Sequence, residues 1–125
     1  MRINRSDSPY RDSLHDWVYI EDVVRACLLA SSTRMVAGEI INIASGTQIS
    51  NEAIVATLFK VTNKSVPIEQ GVYPASSHDA KHWLADISKA QCLLGWQPEI
   101  TLEKGLGAAF DFWKAYYSSP LGARL

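Results

Sequence analysis

The stretch that decides the fold lies near the amino terminus, where residues 15–26 read HDWVYIEDVVRA. Within it, the aromatic and β-branched run Trp17–Ile20 predicts a short strand. The acidic pair Glu21-Asp22 follows directly and predicts the N-cap of a helix that continues to Ala30. Apart from Arg25, the helix carries few polar residues after this cap. We therefore predict that it is buried on most sides.

The next segments alternate between strand and helix patterns. The nearly continuous apolar run Glu39–Ala44, closed by Ser45-Gly46, predicts a strand that is covered on both faces, as in a parallel α/β sheet. Ser50 predicts the N-cap of a helix that reaches Val61 and ends near Asn63. A short edge strand is predicted at Val66–Ile68, because Pro67 cannot donate a hydrogen bond to a neighbouring strand.

The second half of the chain predicts a loop and two helices. Residues 70–82 are mostly polar and predict a loop. Asp86 predicts the cap of a short helix, Ile87–Leu94, with Gly95 as its stop. Thr101 opens the last helix, Leu102–Tyr117, whose apolar residues form one stripe. Trp96 and Trp113 are predicted as core aromatics, and Cys27 and Cys92 as small buried hydrophobic residues.

Composition limits the classes of function. The chain has 125 residues, of which 47% are hydrophobic and 20% charged, and this is typical of one soluble globular domain. A net charge of -1 offers no basic surface for nucleic acid. No apolar run approaches the roughly 20 residues that span a membrane, and the first residues lack the apolar stretch of a signal peptide. We therefore expect a cytoplasmic protein.

Three stretches together resemble one enzyme family, the extended short-chain dehydrogenases/reductases that include NAD-dependent sugar-nucleotide epimerases and dehydratases. The first is residues 15–26, where the family usually has Arg-Asp-aromatic-x-x-Val-x-Asp-Val. The second is residues 38–50, which are similar to the family's last core strand and the turn beyond it. The third comprises ADISKA at residues 85–90, LLGWQP at 93–98 and TLEKGL at 101–106.

This resemblance implies a fold and a role. In such enzymes the region donates a strand and a helix to the nucleotide-binding core and otherwise builds the small domain that closes over the sugar nucleotide. We therefore expect an α/β fold of about four helices with short strands, equivalent to the C-terminal part of the family's fold, with the N-terminal Rossmann unit missing. The expected organisation is a flexible segment at residues 1–14, the substrate-binding domain at 15–117 and a disordered tail at 118–125.

The family's catalytic motifs are absent from these 125 residues. The seven glycines are scattered and do not form the Gly-x-x-Gly-x-x-Gly turn that cradles a dinucleotide pyrophosphate. None of the five tyrosines is followed by a lysine four residues later, so the family's Tyr-x-x-x-Lys proton-transfer pair is missing too. We expect no catalytic residue and no bound cofactor in this chain, although the parent family uses NAD(P), and we expect the chain to be inactive by itself.

The resemblance assigns three candidate substrate-binding residues. His15 stands where the family usually has an arginine that contacts the substrate's diphosphate, and an imidazole lacks the fixed guanidinium fork. Counting back from Asp86, Asp79 takes the acidic place of an Arg-Pro-Gly-Asp-like loop, and Ser76 takes the place of its arginine. Lys81 falls near a frequent second basic position and offers a point charge to phosphate. For His15 and Lys81 a purely structural role stays open.

A metal site is the alternative that His78 and His82 raise. Two imidazoles four residues apart can bind a metal when the segment is helical. Here Pro74 and two serines precede His78 and predict a loop, and no further ligand cluster exists in the sequence. We therefore expect no metal site.

Two rival functions remain beside nucleotide-sugar binding. The chain could be a stand-alone binding module in which a second copy, rather than a Rossmann-domain partner, covers the apolar surface. It could also be a truncated product without independent function. In either case we expect no nucleic-acid or membrane partner.

Overall fold

A computed structural model describes residues 5–6, 13–67, 70–73 and 82–119. Within them the α/β prediction is confirmed: four α-helices accompany two small two-stranded sheets. None of the described helices has the length and apolar character to cross a membrane. In chain order the elements are β1 Arg5–Ser6, β2 Leu14–Asp16, α1 Ile20–Ser32, a 3-10 turn Arg34–Val36, β3 Gln48–Ser50, α2 Asn51–Thr62, β4 Gln70–Tyr73, α3 Ser88–Leu94 and α4 Leu102–Ser118.

The sheets are short, and loops connect them to the helices. β1 pairs with β4 in parallel, and β2 pairs with β3 antiparallel. The end of β3 is also the N-cap of α2, because the Ser50 hydroxyl accepts a hydrogen bond from the Ala53 amide, as predicted. Thr101 caps α4 in the same way. Gly95 ends α3 with a φ of +61°, which confirms it as the stop.

The core forms around one indole. The Trp96 side chain is fully buried, as predicted, between Ala26 of α1 and Ala90 of α3. Two alanines allow the helices to approach closely, and the indole fills the remaining space. The core is completed by partly buried apolar side chains, which are Val18, Leu29, Ile41, Ile43, Ile87 and Leu94.

Asp22 connects this core to the chain before α4. The prediction that Glu21 or Asp22 caps the first helix is wrong: α1 begins at Ile20 after Tyr19, and no side chain caps it. Asp22 lies inside the first turn, and only 2% of it is exposed. Its carboxylate accepts hydrogen bonds from Arg25 at 2.8 Å, from the Ile100 amide at 3.0 Å and from the Glu99 amide at 3.1 Å.

The charge state of Asp22 follows from these donors. Burial raises the pKa of the carboxyl group, but the Arg25 guanidinium and the two backbone amides outweigh burial and hold the pKa below its ordinary value of 3.8. The Asp22 carbonyl also accepts a hydrogen bond of 2.9 Å from the Trp96 indole. One residue therefore joins α1, the core indole and the segment that leads into α4.

The prediction that α1 is buried on most sides is wrong. Ile20, Val24 and Leu28 are all exposed, and their spacing of four residues places them in one stripe. Cys27 on the same helix is exposed, and so is Cys92 on α3, so both cysteines were wrongly predicted as buried. We call Ile20, Val24 and Leu28 the α1 stripe.

The predicted strand Glu39–Ala44 is also wrong. Among the described residues, no strand pairs with this segment, and the backbone groups of residues 40–44 form no hydrogen bond. Ile41 and Ile43 pack against the core, whereas Ile40 is 85% exposed. A strand requires a hydrogen-bonded neighbour, and the described part of the chain supplies none at this position.

Several boundaries differ from the predictions. The strand before α1 is Leu14–Asp16 rather than Trp17–Ile20. Val66-Pro67 forms no strand, and Ile68 lies outside the described residues. The polar segment 70–82 begins with the strand Gln70–Tyr73. Asp86 accepts a hydrogen bond from the Ser88 amide at 2.9 Å, but α3 begins at Ser88, one residue later than predicted.

The two terminal segments and α4 also differ in detail. Strand β1 and the first residue of β2 lie within the segment 1–14 that was predicted to be flexible. At the other end, Ser118 is the last residue of α4, and residues 120–125 lie outside the described part. Trp113 is 52% exposed, so the prediction that it is a core aromatic is wrong.

Asp22→Asn tests the buried carboxylate. We expect the free energy of unfolding to fall by about 3 kcal/mol at neutral pH, because Arg25 loses its charged partner and one of the two acceptor oxygens is replaced by an NH2 donor. Since the folded chain lowers the pKa, the Asp22 contribution is present above the unfolded pKa and is lost as the pH falls through the lower folded value.

Urea denaturation between about pH 7 and pH 2 measures both effects. The wild type is expected to lose more stability than Asp22→Asn as the pH falls below 4, and the two curves should converge. Asp111→Asn, at an exposed position on α4, is the control and is expected to leave stability unchanged. If Asp22→Asn and Asp111→Asn lower the free energy of unfolding equally, the role of Asp22 is contradicted.

Candidate functional site

The candidate site is built around β2, the strand that carries His15. β2 pairs with β3 so that His15 lies opposite Ile49 and Asp16 opposite Gln48. On its other side, Leu14 forms a parallel bridge with His82. The Trp83 amide donates a hydrogen bond of 2.9 Å to the Leu14 carbonyl. β2 is therefore the central strand of a three-segment platform.

His15 is half-buried and has two described neighbours. Its Nε2 lies 3.2 Å from the Ser13 hydroxyl, a hydrogen bond whose donor depends on the tautomer. Its ring meets the Trp17 ring edge-on, with the ring centroids 6.0 Å apart. These contacts orient the imidazole, and no carboxylate of the described residues is bonded to it.

Asp16 fastens the platform to the loops on either side. One carboxylate oxygen accepts hydrogen bonds from the Ser45 amide at 2.6 Å and the Ser45 hydroxyl at 2.5 Å. The other accepts from the Gly46 amide at 3.0 Å and the Ala85 amide at 3.3 Å. Gly46 has a φ of +73°, a conformation that favours glycine and presents its amide to the carboxylate. Asp16 thus joins β2 to two loops that are distant in sequence.

The alternation of side chains along a strand divides the platform into two faces. Asp16, its partner Gln48 and the bridged His82 share one face, and the 3.5 Å contact between the Gln48 amide nitrogen and the His82 ring agrees with this division. His15, its partner Ile49, and Trp17 share the other face. Asp16 and its loops occupy the first of these faces, and the exposed Trp17 lies on the other.

One cavity lies beside the platform. It has a volume of about 150 Å³, is lined by Trp17–Tyr19 and the start of α4, and is smaller than the roughly 300 Å³ at which ligand pockets begin. A second cavity, of about 500 Å³, is an apolar groove between α2 and α4. A third, of about 600 Å³, lies at the end of α1 and the 3-10 turn, and neither β2 nor the segment at Trp83 lines these two.

Of the three predicted substrate-binding residues, only His15 lies within the described part. Asp79 and Lys81 lie outside it, and so does His78 of the weighed metal pair. Among the residues that are described, no three histidine, cysteine, aspartate or glutamate side chains form a metal-binding group. The sequence reasoning missed Asp16, Trp17 and Trp83. The signal for Asp16 and Trp17 was their place beside His15 in the family-like motif, whereas no pattern singled out Trp83.

Comparison with known proteins assigns the family. Residues 9–108 match the sequence family described as GDP-mannose 4,6 dehydratase, which is most of the chain. The chain belongs to this family, and the solved structures that resemble it are extended short-chain dehydrogenase/reductase epimerases.

Two relatives and one solved structure illustrate the match. The chain is 31% identical over 111 residues to dTDP-glucose 4,6-dehydratase from Shigella flexneri, covering 83% of this chain and 30% of the relative. It is 37% identical over 92 residues to UDP-glucuronate 4-epimerase from Thermodesulfobacterium geofontis, and the match covers 73% of this chain and 27% of the relative. UDP-glucuronic acid 4-epimerase from Bacillus cereus, solved with UDP-glucuronic acid and NAD, is 32% identical with a TM-score of 0.79 over 93% of this chain and 35% of that one. The chain thus spans about a third of the length of these proteins.

Proposed function

We propose that this chain is the substrate-binding segment of an NAD(P)-dependent nucleotide-sugar epimerase/dehydratase and carries out no chemical step by itself. The family match supports the class of enzyme, and the B. cereus relative was solved with a nucleotide sugar and NAD. The chain matches about a third of the length of each relative, and this supports the role of one segment within a larger catalytic unit.

The observation that carries the proposal is the bridge between Leu14 and His82. The bridge joins the strand of His15 to His82, and in the sequence Lys81 and Asp79 precede His82 by one and three residues. In our proposal His15 and Lys81 donate hydrogen bonds to the diphosphate, and Asp79 accepts hydrogen bonds from ligand hydroxyl groups.

The proposed role excludes hydride transfer by these residues alone. The 125 residues contain neither the glycine turn for a dinucleotide nor a tyrosine paired with a lysine four residues later. NAD(P) chemistry would belong to a nucleotide-binding domain that meets this segment. Two features support docking of such a domain: the α1 stripe offers exposed apolar side chains, and the backbone of residues 40–44 makes no hydrogen bond to the described residues.

Calorimetric titration of the purified chain with UDP-, dTDP-, CDP- and GDP-sugars tests the proposal. We expect one of these to bind, and no nicotinamide turnover to accompany binding. His15→Arg is expected to tighten binding about tenfold, because a guanidinium offers two fixed charged donors to a diphosphate. Lys81→Ala is expected to weaken binding about tenfold, because one charged contact is lost.

Lys114→Ala is the matched control, since this exposed lysine lies on α4 and outside the platform. It is expected to bind as the wild type does. The proposal fails if no nucleotide sugar binds to the chain, or if turnover of NAD(P) is measured with the chain alone.

A second candidate function is a homo-oligomeric binding module. The observation that favours it is the exposed α1 stripe, and Met35 and Ile40 are exposed apolar side chains as well. A second copy of the chain that covered the stripe would remove it from water, with a gain of roughly 25 cal/mol for each Å² of apolar surface buried.

Sedimentation at several concentrations separates the two candidates. If the chain is such a module, it sediments as a dimer at micromolar concentration, and Leu28→Lys in the α1 stripe returns it to a monomer. Phe112→Lys, which replaces an exposed aromatic on α4, is the control and leaves the dimer intact. A wild type that is monomeric at every concentration rules the module out.

A further inference from the structure

The apolar groove between α2 and α4 has no part in the candidate site. Leu58 and Phe59 of α2 line one side of it, and Phe110 and Trp113 of α4 line the other. Trp113 is 52% exposed, although tryptophan usually buries most of its large surface. A groove of about 500 Å³ with apolar and aromatic walls has the size and character that proteins use to hold a ligand or a chain segment.

The groove extends to the place where the chain leaves α4. Tyr117 lines the groove and is 61% exposed. α4 ends one residue later at Ser118, and Ser119 has a φ of −88° and a ψ of 159°, which is an extended conformation. Pro120 follows and cannot continue a helix. The chain therefore leaves α4 in an extended conformation, two residues after a side chain of the groove.

The sequence that follows has an amphipathic pattern. Residues 120–125 read PLGARL. In an extended segment, side chains two residues apart point to the same side. Leu121, Ala123 and Leu125 would therefore share one side, and Arg124 would point to the other. Such a segment can place its apolar side on the groove while the arginine stays in water.

The length of this segment also matches the groove. Leu106 and Tyr117 are the first and last residues of α4 that line the groove, and they are eleven positions apart. This separation is about 16 Å along a helix. Six extended residues span up to about 20 Å. A segment that begins beside Tyr117 is therefore long enough to run back along the groove as far as Leu106.

We propose that residues 120–125 fold back after Ser119 and cover the groove between α2 and α4, with Leu121 and Leu125 against its aromatic side chains. Apolar surface of both the segment and the groove leaves water, which favours this arrangement. The groove is then an intramolecular contact and not a docking site for a partner. The proposal replaces the disordered tail that was predicted from the sequence, and it does not depend on the proposed function.

Methyl NMR spectroscopy of the wild-type chain tests the contact directly. We expect nuclear Overhauser effects between the methyl groups of Leu121 and Leu125 and the rings of Phe110 and Trp113. A sample that mixes isotope-labelled and unlabelled chains shows whether the contact lies within one molecule. The effects are expected only within labelled chains, and they should persist on dilution.

Variants of the segment show what holds it in place. Leu121→Gln and Leu125→Gln are each expected to lower the ratio of docked to free segment about tenfold, because each removes an apolar side chain from the groove. The uncovered groove then binds the dye 8-anilinonaphthalene-1-sulfonate, and the dye fluorescence rises. Arg124→Gln introduces the same side chain on the side that faces water and is the matched control. It is expected to leave the dye fluorescence unchanged.

Three results would overturn the inference. The first is that the leucine methyl groups contact neither aromatic ring of the groove. The second is that the contacts arise only between labelled and unlabelled chains, which would make a second copy the occupant. The third is that Leu121→Gln and Arg124→Gln give the same dye fluorescence. None of these results bears on nucleotide-sugar binding, which is tested separately by calorimetry.

Discussion

The Asp16 carboxylate is the contact on which the candidate site depends. It accepts four hydrogen bonds, from Ser45, Gly46 and Ala85, and so attaches two loops to the strand of His15. The sheet around β2 is too small to order these loops by its own ladder, since β2 and β3 have three residues each. Hydrogen bonds to a charged acceptor are stronger than those between neutral groups, and they replace the missing ladder here.

Asp22 performs the corresponding task between α1 and α4, with Arg25 as its counter-charge. Two aspartates with five residues between them, Asp16 and Asp22, thus organise the segment 15–26. This segment is one of the three stretches that together carry the resemblance to the family.

The helices could be predicted from the sequence and the strands could not. Ser50, Gly95 and Thr101 act on their own turn, so their capping roles are local and were predicted correctly. A strand depends on a neighbour, and the apolar run at residues 39–44 has none within the described chain. The α1 stripe and Cys27 are exposed for the same reason, because no described segment packs over them. The pairing of Leu14 with His82 joins residues far apart in the chain, and no local sequence pattern predicts it. The position of Trp83 beside β2 therefore could not be predicted from the sequence.

Hydrogen exchange in Asp16→Asn tests most directly whether one carboxylate holds the candidate site together. Loss of the charged acceptor is expected to speed amide exchange at Ser45, Gly46 and Ala85 by about tenfold or more, with exchange around Trp96 unchanged. Asp86→Asn, whose carboxylate serves only the first turn of α3 among the described contacts, is the control. Unchanged exchange at all three amides in Asp16→Asn would contradict the account.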